Sequence, residues 1–145
     1  MVHRRILFVD IDGVLNSVDS AERFQTSDIL DPSAVGFLRA TTERHEAEIV
    51  ITSTWRLASG WFALVVGAFA EAGWENPPII GVTPELPGVR GSEIEAWLTK
   101  NPTESFIIID DDADMLHEQM EHFVQCDTQH GFTASEVAEI DRIWA

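Results

Sequence analysis

Asp10 and Asp12 close an apolar run, Ile6-Leu7-Phe8-Val9, and Gly13 follows at once. Two later apolar runs end in a similar way: Ile49-Val50-Ile51 in Thr52 and Ser53, and Phe106-Ile107-Ile108-Ile109 in Asp110, Asp111 and Asp112. Carboxylates and hydroxyls brought to one place suit phosphoryl transfer, because a free carboxylate is a nucleophile and hydroxyls donate to phosphoryl oxygens. Several acids crowded together repel one another and rise in pKa unless a cation neutralises them. Hard oxygen ligands at this density, with no His or Cys nearby in sequence, suit Mg²⁺ better than zinc. Asp-x-Asp-Gly also begins calcium loops, but Val14, Leu15 and Asn16 follow and the segment starts inside a hydrophobic strand, so that reading fails. The remaining alternative, an ordinary turn at a strand end, leaves the two later runs unexplained.

These groups meet only if the runs are parallel strands of one sheet, since ligands in open α/β sheets bind where the carboxyl ends of the strands converge. The runs are short, branched and aromatic, as in strands buried on both faces. Asn16 to Leu30 is polar and without periodicity, which predicts a loop or short hairpin. Asp31-Pro32 opens a helix to about His45, with Asp as N-cap and Pro at the first position. Glu48 to Ser53 is the second strand. Ser59 to Gly73 reads as a helix apolar nearly all round (Trp61, Phe62, Leu64, Val65, Val66, Phe69), hence deeply packed. Pro78 to Val82 is a third strand. Ser92-x-x-Glu95 predicts a capping box at the head of a helix stopped by Asn101-Pro102, and Ser105 to Asp110 is the fourth strand. A short helix from about Ala113, a strand near His122 to Cys126, and a helix opened by Thr133-x-x-Glu136 complete the chain. This alternation predicts a three-layer, Rossmann-like α/β fold, a parallel sheet with helices on both faces, in a single domain over 1–145.

Nine Lys plus Arg against 25 Asp plus Glu give a formal charge of −16, which disfavours extended nucleic acid binding and anionic membranes. The one cysteine, Cys126, excludes an internal disulfide and fits a reducing compartment. His3-Arg4-Arg5 before an apolar run superficially suggests a secretory signal, but Asp10 and Asp12 interrupt it, so a cytoplasmic protein without membrane spans is expected.

The three strand-end motifs closely resemble those of capless phosphohydrolases of the haloacid dehalogenase (HAD) superfamily. Asp10-Ile11-Asp12-Gly13-Val14-Leu15 is similar to the first motif, which implies Asp10 as the nucleophile that becomes an aspartyl-phosphate and Asp12 as general acid/base. Ile49-Val50-Ile51-Thr52 is similar to the second, which implies that Thr52 hydrogen-bonds the phosphoryl group, with Ser53 and Gly13 beside it. Ile107-Ile108-Ile109-Asp110-Asp111 is similar to the fourth, which implies that Asp110 and Asp111 hold Mg²⁺ together with Asp10 and the backbone carbonyl of Asp12; which of Asp110 and Asp111 ligates directly stays open. The third motif usually supplies a Lys. The sole lysine, Lys100, lies at a helix end ten residues before Asp110, whereas Arg90 lies where the family's basic residue generally falls and is preferred. More narrowly, Thr52-Ser53-Thr54-Trp55-Arg56, Arg90-Gly91-x-Glu93-Ile94, the triple Asp and Gly131-Phe132-Thr133 resemble the HAD domain associated with multi-enzyme RNA-repair proteins.

Arg56, close after the second motif, is a candidate for binding a second phosphate or leaving group, a surface ion pair being the alternative. The gaps between motifs are filled by helix and strand and leave no room for a cap domain. The resemblance then implies an open site acting on a phosphorylated small molecule or an exposed terminal phosphate. A dehalogenase would need no acid at Asp12 and no acidic cluster, and a receiver domain would keep its Lys late in the chain. The alternatives left open are a catalytically silent HAD-like binding module, against which the two first-motif acids, the hydroxyls and the acidic pair argue, and a phosphatase of a small metabolite or phosphoprotein.

Overall fold

The computed structural model describes residues 2–145. Five strands, β1 (His3–Val9), β2 (Glu48–Ile51), β3 (Ile79–Val82), β4 (Thr103–Asp110) and β5 (Phe123–Gln125), form one parallel sheet in the order β3-β2-β1-β4-β5. The helices are α1 (Val18–Phe24), α2 (Pro32–Arg44), α3 (Trp61–Glu71), α4 (Arg90–Lys100) and α5 (Ala134–Ile143). Alternate residues of the strands feed two separate cores, as period-two side chains must. Leu7, Val9, Ile49, Ile51, Ile107 and Ile109 pack under Val35, Leu38, Phe69, Ile140 and Trp144 of the α2, α3 and α5 layer. Ile6, Phe8, Val50 and Ile108 pack on the other face against Ile94 and Trp97 of α4. The fold is the expected three-layer α/β arrangement, and no cap domain interrupts it among the described residues. No helix among them is long and apolar enough to cross a membrane.

The central position of β1 is what matters for chemistry. Val9 pairs with Ile51 of β2 on one side and Ile109 of β4 on the other, so Asp10, Thr52 and Asp110 emerge at the same level. The ladder continues through them: Asp10 N–H donates to Ile109 at 3.1 Å, Thr52 N–H to Val9 at 3.1 Å, and Cys126 N–H to Asp110 at 2.8 Å. Lateral register thus fixes the row to within a hydrogen bond.

Four local expectations need correction. Asn16 to Leu30 contains a helix, α1, nucleated by a reciprocal Ser17–Ser20 cap; its head is anchored by Val18 and Asp19 N–H groups donating to Thr128 and Gln129. A Ser at the third helical position can close this cap as Glu would, which conceals it from a search for Ser-x-x-Glu. α3 is not deeply packed: only Val65 and Phe69 are buried, while Phe62 is 53% and Leu64 49% exposed. The Ser92–Glu95 capping box does not form, since α4 begins two residues earlier at Arg90 and its first N–H groups reach Asp114: Arg90 N–H donates to the Asp114 carboxylate at 3.2 Å and Gly91 N–H to its carbonyl at 3.1 Å. Asp114 therefore caps a helix distant in sequence, and the segment after it holds a 3₁₀ turn (His117–His122) in place of the expected short α-helix. The Thr133–Glu136 capping box at the head of α5 forms as read.

Candidate active site

The first-motif turn is held by its own backbone. Val14 and Leu15 N–H groups donate to the Ile11 carbonyl at 3.1 and 2.8 Å, and Gly13 takes φ +83°, a conformation that side chains with a Cβ rarely adopt. Asn16, which carried no sequence signal, fastens the turn. Its amide oxygen accepts from Gly13 N–H at 2.9 Å, and its NH₂ donates to the Asp12 carboxylate and the Ser27 carbonyl, each at 2.8 Å. Asp10 is buried beside it, whereas Asp12 is exposed at the rim.

Across the row, carboxylate oxygens of Asp10, Asp110 and Asp111 lie within 4.8 Å of one another. Arg90, at the first turn of α4, reaches Asp10 at 3.0 Å and Asp110 at 3.3 Å. It thus occupies the position expected of the third-motif cation, while Lys100 sits exposed at the far end of the same helix. α4 can come this close because Gly91 has no side chain: a Cβ there would meet the Leu116 backbone nitrogen at 2.6 Å. Asp111 accepts from Thr128 at 3.0 Å, and Asp110 accepts from Asp112 N–H at 2.9 Å. Together six aspartates, Asp10, Asp12, Asp110, Asp111, Asp112 and Asp114, with Arg90 and Thr54, line a cleft of about 220 Å³.

The electrostatics follow from this crowding. Burial, and then the neighbouring Asp10 charge, push the Asp110 carboxyl up to about 8. Burial also raises Asp10, against the pull of Arg90. Burial works against the Arg90 charge, but the facing Asp10 and Asp110 more than compensate and hold it above its usual range. Three carboxylates facing one cation are under-neutralised. A hard, oxygen-seeking divalent ion fits this donor set, and Asp10, Asp110 and Asp111 are the side chains that could hold it. The Asp12 carboxylate stands outside that group, bound to Asn16.

The hydroxyls divide differently from their expected grouping. The buried Thr52 hydroxyl has no hydrogen-bond partner. Ser53 is the N-cap of a 3₁₀ turn (Thr54–Leu57), its hydroxyl accepting from Trp55 N–H at 3.2 Å, and neither Thr52 nor Ser53 is among the residues lining the acidic cleft. Thr54, not singled out from sequence, lines the cleft instead.

Arg56 fits neither role foreseen for it. Its side chain is 3% exposed, and all five N–H groups are engaged: with the carbonyls of Thr52, Ser53, Thr83 and Pro84, and with Glu93 at 2.9 Å. No donor is left for a phosphate. Arg56 instead ties the end of β2 to the segment after β3 and to α4. Arg56→Lys keeps the charge but supplies three donors for five acceptors, and is expected to cost about 1–2 kcal/mol in urea unfolding; a change within error of zero would show that the carbonyl bonds contribute nothing. Cys126 is buried and its thiol is pushed up by that burial, so it is an inert packing residue.

A model of the HAD domain in Swiss Army Knife RNA repair proteins matches residues 6–137, from inside β1 into α5. The chain belongs to this HAD family. The match includes all three strand ends and Arg90, and the parallel sheet with helices is consistent with a HAD fold. No curated protein and no solved structure matches the chain.

Proposed function

We propose that the protein is a Mg²⁺-dependent phosphomonoester hydrolase that works through an aspartyl-phosphate on Asp10. One observation carries this reading: a buried carboxylate at the end of the central strand lies 3.0 Å from an arginine that also contacts Asp110, in a cluster of three acids able to hold a cation. Asp10 attacks phosphorus in line with the departing oxygen, and the bond to that oxygen breaks as the Asp10–phosphorus bond forms. Arg90 and the unpartnered Thr52 hydroxyl donate to phosphoryl oxygens. Asp12, exposed and oriented by Asn16, gives its proton to the departing oxygen and then takes one from the water that hydrolyses the acyl phosphate. Mg²⁺, when bound by Asp10, Asp110 and Asp111, would supply neutralisation of the phosphoryl charge.

The family is described from RNA repair proteins, which makes a terminal phosphate of RNA one substrate class and a nucleotide another. The −16 charge restricts either to a single phosphate entering the cleft, without a grip along a nucleic acid backbone. The lone buried thiol fits a reducing, cytoplasmic setting. Phosphate release from p-nitrophenyl phosphate, mononucleotides and end-phosphorylated oligonucleotides, with Mg²⁺ and with EDTA, tests the proposal. Turnover that EDTA abolishes is expected; none on any monoester, in a folded protein with Mg²⁺, would overturn it.

A thermal measurement checks the metal site separately. Because Asp110 titrates near 8 when folded and near 3.8 in the ordinary carboxyl, the metal-free folded chain binds more protons than the unfolded one between these values. Its stabilising contribution is complete below the lower value and is lost as pH rises through the upper. The metal-free protein should therefore melt lower at pH ~8 than at pH ~5, and Mg²⁺, replacing the proton, should raise Tm more at the higher pH. An equal Mg²⁺ response at both would contradict the assignment.

A further inference from the structure

Next to the acidic cleft, and sharing Asp12 and Thr54 with it, runs a larger groove of about 730 Å³ between Trp55 and one face of α3. Its wall is Ala63, Leu64, Gly67 and Ala68, and its rim carries Asp28 and Glu71. The groove explains why α3, apolar nearly all round, leaves Leu64 half exposed. Gly67 is the informative residue. A glycine in mid-helix weakens the helix, and such a cost is ordinarily offset by close packing, yet an added Cβ at Gly67 meets nothing within 4 Å. The space over it is unfilled by the chain.

We propose that this groove seats the leaving group of the monoester, one that bears a planar aromatic ring and no further phosphate, which of the two substrate classes above selects the mononucleotide over the RNA terminus. The inference rests on the phosphatase reading for the position of the bond that breaks. With phosphorus at Asp10 and the departing oxygen at Asp12, the organic part continues past the boundary that Asp12 and Thr54 form, into the groove. Its volume lies in the range of small-molecule sites, its floor is small-residue and apolar, and the Trp55 ring offers a stacking partner. The carboxylates of Asp12, Asp28 and Glu71, with no basic residue among those lining the groove, repel further anionic charge.

Gly67→Leu fills the groove without touching the cleft. Binding is read by amide NMR shifts of residues 63–68 on adding uncharged adenosine or p-nitrophenol, independently of turnover. Shifts in the wild type that vanish in Gly67→Leu are expected; no shifts in the wild type, or equal shifts in both proteins, overturn the groove. In kinetics, Gly67→Leu should lower kcat/KM about tenfold for adenosine monophosphate and p-nitrophenyl phosphate, and less than about twofold for glycerol phosphate. The wild type should likewise prefer adenosine monophosphate to the corresponding bisphosphate; equal losses on all substrates, or preference for the bisphosphate, also overturn it. Absence of turnover on every monoester defeats the phosphatase reading instead, and the NMR shifts then decide the groove alone.

Discussion

Asp10→Asn should reduce phosphate release by at least about a thousandfold while leaving the fold intact, because an amide oxygen has the shape of the nucleophile without its reactivity. The local geometry tolerates the change. Asp10 is 6% exposed, and its carboxylate accepts the Ile11 N–H at 2.9 Å, a bond that the Asn oxygen can keep. Burial raises the cost of the Asp10 charge, and that charge in turn raises Asp110. A neutral amide removes both effects, so Tm should hold or rise even though the contact with Arg90 is weakened. Loss of activity together with loss of folding would make Asp10 a structural residue; retained activity would exclude it as nucleophile.

Gly13→Ala should destabilise the protein by about 3 kcal/mol, combining a left-handed backbone penalty of about 1–2 kcal/mol with the overpacking caused by the new Cβ. That Cβ would fall on the Asp111 carboxylate, pushing it from the acidic group and from Thr128. For a chain of this size the melting temperature should drop by roughly 10 °C. The Mg²⁺ stabilisation should disappear as well. Gly60→Ala is the matched control, since Gly60 has φ +73° but an added Cβ there meets nothing within 4 Å. It should show the backbone penalty alone and keep the full Mg²⁺ response. Identical behaviour of the two variants would mean that Asp111 has no part in holding the cation.

These two predictions rest on parts of the molecule with unequal visibility in the sequence. The sheet and the row of Asp10, Thr52 and Asp110 were legible because buried parallel strands leave continuous apolar runs, and each run stops where the backbone reaches the polar edge. Arg90 was placed by the family resemblance, since it stands ahead of Asp110 where the family's basic residue generally falls, and the first turn of α4 does bring it to Asp10 and Asp110. Arg56 was misjudged because its acceptors are backbone carbonyls, and the convergence of Thr83 and Pro84 on the end of β2 leaves no trace in side-chain identity. Asn16 escaped for a similar reason: any polar residue suits a loop, and only the folded turn shows both ends of its amide engaged. The capping of α4 by Asp114 replaced a plausible local signal with a distant one, since an N–H group takes whichever acceptor the packing presents. The exposed face of α3 could not be read at all, because hydropathy records what a side chain prefers and not what lies beside it.

The most direct test follows phosphate onto the chain. Asp12→Asn, given a radiolabelled aryl phosphate, should still be phosphorylated, because a phenolate leaves without a proton; hydrolysis of the acyl phosphate, which needs Asp12 as base, should stall. Acid quenching should then trap label on the peptide containing Asp10, in a form that hydroxylamine releases. Label on any other residue, or rapid phosphate release with no label ever passing through the protein, would contradict the account.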